Sequence, residues 1–163
     1  MQKVCFKCKR LLPLDEFYRQ PICHIIRGLP GAGKSTCAAR LGCLVISPQD
    51  MYATRGGVYR YREGQDDRAT AWASRVMQAA MEEGVDLAVA EVLPTREDVT
   101  YWARLAHRHG YAVRVTDLDI TSDLPDRRNT HGVPRPVIDA MAEAWEPWDV
   151  EMAAATPGGM EAS

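Results

Sequence analysis

The chain has 163 residues, 46% of them hydrophobic and 26% charged, with a formal net charge of −2. That is enough chain for one domain with its own core and the composition of an ordinary globular protein; the near-neutral balance excludes a global basic field, so any hold on long nucleic acid must come from a local patch. No apolar run is long enough to span a membrane, the basic N-terminus lacks the apolar stretch of a signal peptide, and five cysteines, an odd number, suit a reducing compartment, so a cytoplasmic protein is expected.

In chain order, residues 1–21 form an extension of distinct character. They hold Cys5, Cys8 and three of the four lysines, and Pro21 separates them from the first expected strand of the domain. That strand, Ile22-Cys23-His24-Ile25-Ile26-Arg27, is short, apolar and β-rich, as a buried strand should be. It runs into Gly28-Leu29-Pro30-Gly31-Ala32-Gly33-Lys34-Ser35-Thr36, which fills every position of the phosphate-loop pattern. The glycines let backbone N–H groups approach phosphate oxygens with no Cβ in the way. A helix expected over 35–42 aims its positive end at the same anion. Gly28, Pro30, Gly31, Ala32, Gly33, Lys34, Ser35 and Thr36 are the nucleotide-binding candidates. Lys34 is placed to reach the β- and γ-phosphates, and the Ser35 hydroxyl to ligate Mg2+. Lys34 is also the only lysine beyond residue 9 in a chain that otherwise writes arginine. It stands where a compact ammonium is needed and a planar guanidinium would not substitute.

Further strands are expected near 43–47, 86–92 and 111–117, and helices near 66–83, 96–109 and 135–145. Thr95 is a good N-cap for the 96–109 helix, with Asp98 as box partner. Gly110 suits that helix's end, and Pro134 and Pro136 frame the start of the last one. The alternation implies an α/β fold, a parallel sheet of four or five strands flanked by helices, with ligands at the carboxyl ends of the strands. The domain is expected over 22–150, and 151–163, made of Ala, Gly, Pro and small polar groups, as a disordered tail.

Candidate chemistry gathers after the strand ends. Asp50 follows the second strand, which is expected to end beside the phosphate loop. A carboxylate there can accept the proton of an attacking hydroxyl; aspartate is also a common turn residue. The stretch Arg55-Gly56-Gly57-Val58-Tyr59-Arg60-Tyr61-Arg62 suits either a solvated loop or a wall that stacks a base and pairs a phosphate. Arg55, Tyr59 and Arg60 are its substrate-binding candidates. Glu91 ends the third strand, where a carboxylate holds Mg2+ through water or orients other site residues. Arg127 and Arg128, ahead of a glycine hinge, suit a lid that closes on ATP phosphates. Consecutive helical positions point about 100° apart, so only one would face the nucleotide.

Together these segments resemble the polynucleotide kinase-like P-loop kinases over residues 22–147. The resemblance rests on the phosphate loop, Ile46-Ser47-x-x-Asp50, Gly57-Val58-Tyr59, and Arg128-Asn129-x-His131-Gly132-Val133-Pro134 followed by Ile138, Met141 and Trp145-Glu146. The distal segment is especially similar to the kinase-like domain of a ubiquitin-ligase-binding protein family. The resemblance implies ATP- and Mg2+-dependent phosphorylation of a 5′-hydroxyl on a nucleic-acid end. It makes Lys34 and Ser35 the phosphate and Mg2+ ligands, Asp50 the general base, and Arg127 or Arg128 the lid arginine, with Arg128 preferred because it directly precedes the Asn129-x-His131-Gly132 segment that carries the resemblance. Three positions depart from the pattern. Ala53 stands where a substrate-binding arginine would be, Gln49 where a first aspartate often is, and Glu91-Val92-Leu93-Pro94 where relatives carry Asp with an Asn-Thr-Asn run. The acceptor therefore stays open among a polynucleotide end, a modified base in DNA and a small-molecule hydroxyl.

Cys5-Phe6-Lys7-Cys8 followed by Leu14-Asp15-Glu16-Phe17-Tyr18 resembles the first half of small zinc-binding modules found near phage nucleases. Two thiolates at this spacing suit one corner of a Zn2+ site. The second half is missing, because Cys23 and His24 face opposite ways in a strand. A zinc-knuckle nucleic-acid-binding protein with a regulatory nucleotide site is the non-enzymatic alternative.

Overall fold

In the computed structural model, which describes residues 2–4, 11–13, 19–52, 66–118, 129 and 131–148, the apolar runs pair into one parallel sheet. It is preceded by a small antiparallel pair that the sequence patterns do not announce, β1 (Gln2–Val4) with β2 (Leu11–Pro13). The elements then alternate: β3 (Ile22–Arg27), α1 (Lys34–Ala39), β4 (Leu44–Ile46), a 3₁₀ turn over Pro48–Tyr52, α2 (Asp66–Glu82), β5 (Leu87–Glu91), α3 (Arg96–Arg108), β6 (Ala112–Asp117) and α4 (Arg135–Glu143). The four-stranded sheet has the order β4-β5-β3-β6. All its pairings are parallel. Cys5, Cys8 and the tail over 151–163 lie outside the described residues.

Chain order alone puts the second strand beside the loop-bearing strand; β5 lies between them instead. The burial pattern explains this. Leu87, Ala88, Val89 and Ala90 are all buried and suit an inner strand. β4 is only three residues long and its Leu44 is exposed, which an edge tolerates.

Alternation along the inner strands builds two layers. Cys23, Ile25, Leu87 and Val89 face α2 and α3, whose Met77, Val99 and Trp102 complete the larger core. Ile26, Ala88 and Ala90 face the other way, onto Ala38 of α1. A third cluster matters most for the site: Leu29 of the phosphate loop packs with Val133 and with Ile138 of α4. The loop is thus seated on the C-terminal helix as well as on its own strand.

Thr95 and Asp98 form the complete capping box, with Asp98 N donating to Thr95 Oγ1 at 3.2 Å and Thr95 N to Asp98 Oδ2 at 3.0 Å. α1 ends three residues before the sequence boundary. Leu41 N turns back to Ala38 O at 3.0 Å and Gly42 follows at φ 65°, a left-handed close that stops the helix. Among the described residues, no helix is long and apolar enough to cross a membrane.

Candidate nucleotide and acceptor site

The phosphate loop leaves β3 at its carboxyl end. Gly31 and Gly33 adopt φ 86° and 89°, a backbone that side chains with a Cβ rarely take. At Gly28 a Cβ would stand 3.0 Å from Leu118 Cβ and 3.1 Å from Ala32 Cβ, so the close approach of the loop to the chain after β6 depends on glycine there. Ala32 N donates to Leu29 O at 3.0 Å and closes the turn.

Lys34 opens α1 and folds back over this turn. Its Nζ donates to Gly28 O at 2.7 Å and Leu29 O at 3.0 Å. Burial pushes the ammonium down to a pKa of about 8, against the upward pull of the Glu91 carboxylate. A desolvated cation held, among the described residues, by neutral carbonyls and one nearby carboxylate is set up to take a stronger anion. Ser35 and Thr36, the next two residues, are exposed. They line an open cleft of about 1900 Å³ that also takes in Pro30, Glu91 and His131. The Ser35 hydroxyl is a hard oxygen donor of the kind that suits Mg2+ carried in with a nucleotide.

Asp50 sits on the 3₁₀ turn after β4, with its N–H on Ser47 O at 2.9 Å. Lost solvation pushes its carboxyl above the ordinary aspartate range. The Ser47 N–H and the nearby His131 pull the other way. His131 reaches the cleft because its turn is locked from within. Asn129 Nδ2 donates to Val133 O at 2.7 Å, Val133 N donates to Asn129 Oδ1 at 3.1 Å, and Gly132 takes φ 65°. Asp50 and His131, some eighty residues apart in the chain, are thus brought together.

Beneath the cleft lies an arginine whose position gives no warning in the sequence. Arg27 ends β3 and is 0% exposed. Its Nε and Nη2 donate to Asp117 Oδ1 and Oδ2 at 2.6 and 3.0 Å. Nη1 donates to Leu93 O at 3.1 Å, and Nη2 also to Glu146 O at 2.8 Å. The guanidinium lies 4.5 Å above the Trp145 ring. One side chain therefore ties β3, β6, the loop after β5 and the segment after α4. Leu93 needs the tie, being a non-glycine residue in the left-handed region, at φ 49°, a strained conformation that persists only where its surroundings fix it. A strand-final arginine reads from sequence as a residue reaching solvent; only the arrival of Asp117 and Trp145 makes it a buried clamp.

Of the sequence candidates, Pro30, Gly31, Ala32, Gly33, Lys34, Ser35, Thr36 and Glu91 line one cleft, with Gly28 at the root of the loop. Arg55, Tyr59, Arg60, Arg127 and Arg128 lie outside the described residues. Among the described residues no group of three or more His, Cys, Asp or Glu side chains could hold a metal ion.

The sequence profile of the AAA domain matches residues 23–147. Among solved structures, a chain of the Pnkp1/Rnl/Hen1 RNA repair complex superposes with a TM-score of 0.63 at 14% identity, covering 81% of this chain and 46% of that one. A gluconokinase from Sinorhizobium meliloti 1021 gives 0.51 at 14% identity, covering 79% and 78%. The AvrRxo1-ORF1:-ORF2 complex with ATP gives 0.52 at 18% identity, covering 78% and 48%. The chain spans less than half the length of the repair-complex chains it matches. At these identities the likeness is one of fold, an α/β fold of the P-loop kinase type with a four-stranded parallel sheet flanked by helices.

Proposed function

The chain belongs to the AAA domain family, and from that premise we propose that it is an ATP-dependent phosphotransferase acting on a hydroxyl of a nucleic acid, a polynucleotide 5′-OH end foremost. The observation that carries the reading is Lys34. Its ammonium is desolvated at the lip of a glycine loop and, among the described residues, hydrogen-bonded only to Gly28 O and Leu29 O. Those carbonyl bonds exchange for bonds to the β- and γ-phosphates when nucleotide enters, and the stronger anion repays the desolvation.

The remaining roles are set by position. The N–H groups of 31–36 cradle the phosphates, with Ser35 as the protein ligand of Mg2+. The bound Mg2+ supplies neutralisation of charge on the transferring phosphoryl group. Asp50 takes the proton as the acceptor oxygen bonds to the γ-phosphorus and the bond to the bridging oxygen of ADP breaks. A carboxyl with its pKa raised by lost solvation is a better base than an ordinary aspartate. Glu91 holds Lys34 in place electrostatically. We assign Arg128, or else its neighbour Arg127, to the transferring charge as a lid residue, and Arg55, Tyr59 and Arg60 to the acceptor.

The repair-complex neighbour supports a nucleic-acid end as acceptor. The gluconokinase neighbour, matched over most of its length, and the apolar edge Val92-Leu93-Pro94 support a small-molecule hydroxyl as the second reading. Labelled γ-phosphate offered with 5′-OH DNA and RNA, hydroxymethyl-base DNA, nucleosides and sugar acids separates the two. Transfer to 5′-OH ends is the expected result. Transfer to a sugar acid alone would replace the first reading by the second, and ATP binding without transfer to any acceptor would leave a regulatory nucleotide site.

A further inference from the structure

We propose that the outward face of α3 is a track for the phosphodiester backbone of a single-stranded acceptor, with Tyr101 as the stacking platform for one base. The proposal rests on the nucleic-acid reading above and names where that acceptor lies.

α3 buries Val99, Trp102, Ala103, Leu105 and Ala106 against the sheet, which turns the opposite face outward. Along that side Arg96, Thr100, Arg104 and Arg108 recur at every fourth residue, about 6 Å apart by helix rise. All four line the same cleft as the phosphate loop, so the row leads away from the nucleotide end of the site. The lower part of the helix and its cap carry Arg104, His107, Arg108 and His109 with no acidic residue between them. On α3 the cleft-lining carboxylates are confined to the first turn, Glu97 and Asp98, and Asp98 is occupied by the Thr95 cap; Asp67 of α2 and Glu91 at the end of β5 also line the cleft.

The arginines are available. Among the described residues the Arg104 guanidinium has no hydrogen-bond or ion-pair partner, and Arg108 donates only its Nε, to Arg104 O at 3.4 Å. Arg96 uses its Nε on Pro147 O at 3.1 Å. Cations in a row repel one another until a polyanion lies along them, and a phosphodiester chain supplies one charge per nucleotide.

Tyr101 gives the track a feature that plain polyanion attraction does not need. It is 45% exposed, yet its ring is fixed. The hydroxyl shares a hydrogen bond with Ser74 Oγ at 2.8 Å, and Trp102 meets it edge-on at 5.2 Å and 86°. A rigid, exposed aromatic face beside guanidinium groups is what single-strand binders offer a base.

The test compares wild type with the Arg104→Ala/Arg108→Ala double variant, Tyr101→Ala and Tyr101→Phe. The probes are a fluorescein-labelled 12-nucleotide 5′-OH strand and, as short acceptor, a nucleoside 3′-phosphate. The arginine variant should raise Kd and KM for the 12-mer about tenfold or more, and lower the salt slope by about 1.4 for two lost phosphate contacts. Its kcat, and its KM for the short acceptor, should not move. Tyr101→Ala should weaken the 12-mer about tenfold, and Tyr101→Phe should restore it. Wild-type binding of the 12-mer by the arginine variant overturns the track, as does competition by a polyglutamate peptide of equal charge as strong as that of the strand. If wild type transfers no phosphate to any strand yet loses 12-mer binding in these variants, the track stands and the transferase reading fails. If transfer occurs and the variants are indifferent, the track alone fails.

Discussion

Replacing Arg27 by methionine should be among the most damaging single changes in the domain. Methionine keeps much of the apolar stem but removes the fork. Two charge-assisted bonds to Asp117, at 2.6 and 3.0 Å, disappear, together with the donors of Leu93 O and Glu146 O. The Asp117 side chain is 40% exposed, so water can recover part of its solvation and its loss of partner costs little. The Leu93 carbonyl is deep, and an acceptor stranded there costs about 1–3 kcal/mol. The lost contact of cation and indole adds about 1–2 kcal/mol. The sum is about 2–5 kcal/mol, reaching the range for breaking one half of a buried pair. For a domain of this size that lowers Tm by about 4–20 °C. Arg27→Lys should recover less than half, because an ammonium cannot hold a carboxylate and two carbonyls in one plane. Asp117→Asn should cost about 1 kcal/mol, since the amide oxygen still accepts and the group is half in water. Thermal and urea unfolding of the three variants measure this directly. A Tm for Arg27→Met within about 3 °C of wild type, or an Asp117→Asn loss as large as that of Arg27→Met, would refute the clamp.

Three further outcomes are expected. Burial lowers the pKa of Lys34 to about 8; in the proposed role it binds phosphate protonated, so phosphate should raise that value on binding. The Kd for ATP should therefore climb about tenfold per pH unit above pH 8, as titration calorimetry at pH 7.5 to 9.5 would show; a flat Kd would exclude Lys34 from the phosphate contact. Asp50→Asn should lower kcat about a hundredfold or more with Kd for ATP unchanged. The acid limb of kcat/KM in wild type should lie above the ordinary aspartate range, because lost solvation raises that carboxyl; an equal loss of ATP affinity would make Asp50 structural. Thr95→Ala should cost about 1 kcal/mol through the broken cap, seen as a lower urea midpoint with unchanged slope.

Local chemistry is legible before folding. The phosphate loop and the Thr95–Asp98 box are each written within nine residues or fewer, so their partners sit in the same line of text. The boundaries of α2, α3 and β6 agree with the periodicity to within a residue for the same reason. Strand order does not: β5 displaces β4 from the centre because of burial along whole strands, which a chain-order argument ignores. Arg27 gives no signal because its partners are 66, 90 and 119 residues downstream. Asn129 and His131 stand out in the sequence only as parts of a motif. That Asn129 locks a turn and His131 lies near Asp50 depends on where α4 packs.

The central position of β3 also bears on how the protein is made. Its two sheet neighbours, 87–91 and 112–117, both come later in the chain. The nucleotide loop therefore leaves the ribosome before either of the strands that frame it. At about 5–20 residues per second, the interval between synthesis of β3 and of β6 is about 5–20 s. Throughout it Cys23, Ile25 and Ile26 form an apolar strand with both edges open, a template for pairing with other chains. Parallel pairing across such separations is slow even once all the strands exist. Yield from cells should thus respond to holdase chaperones and to codon choice between residues 28 and 112 more than to any change in the finished core.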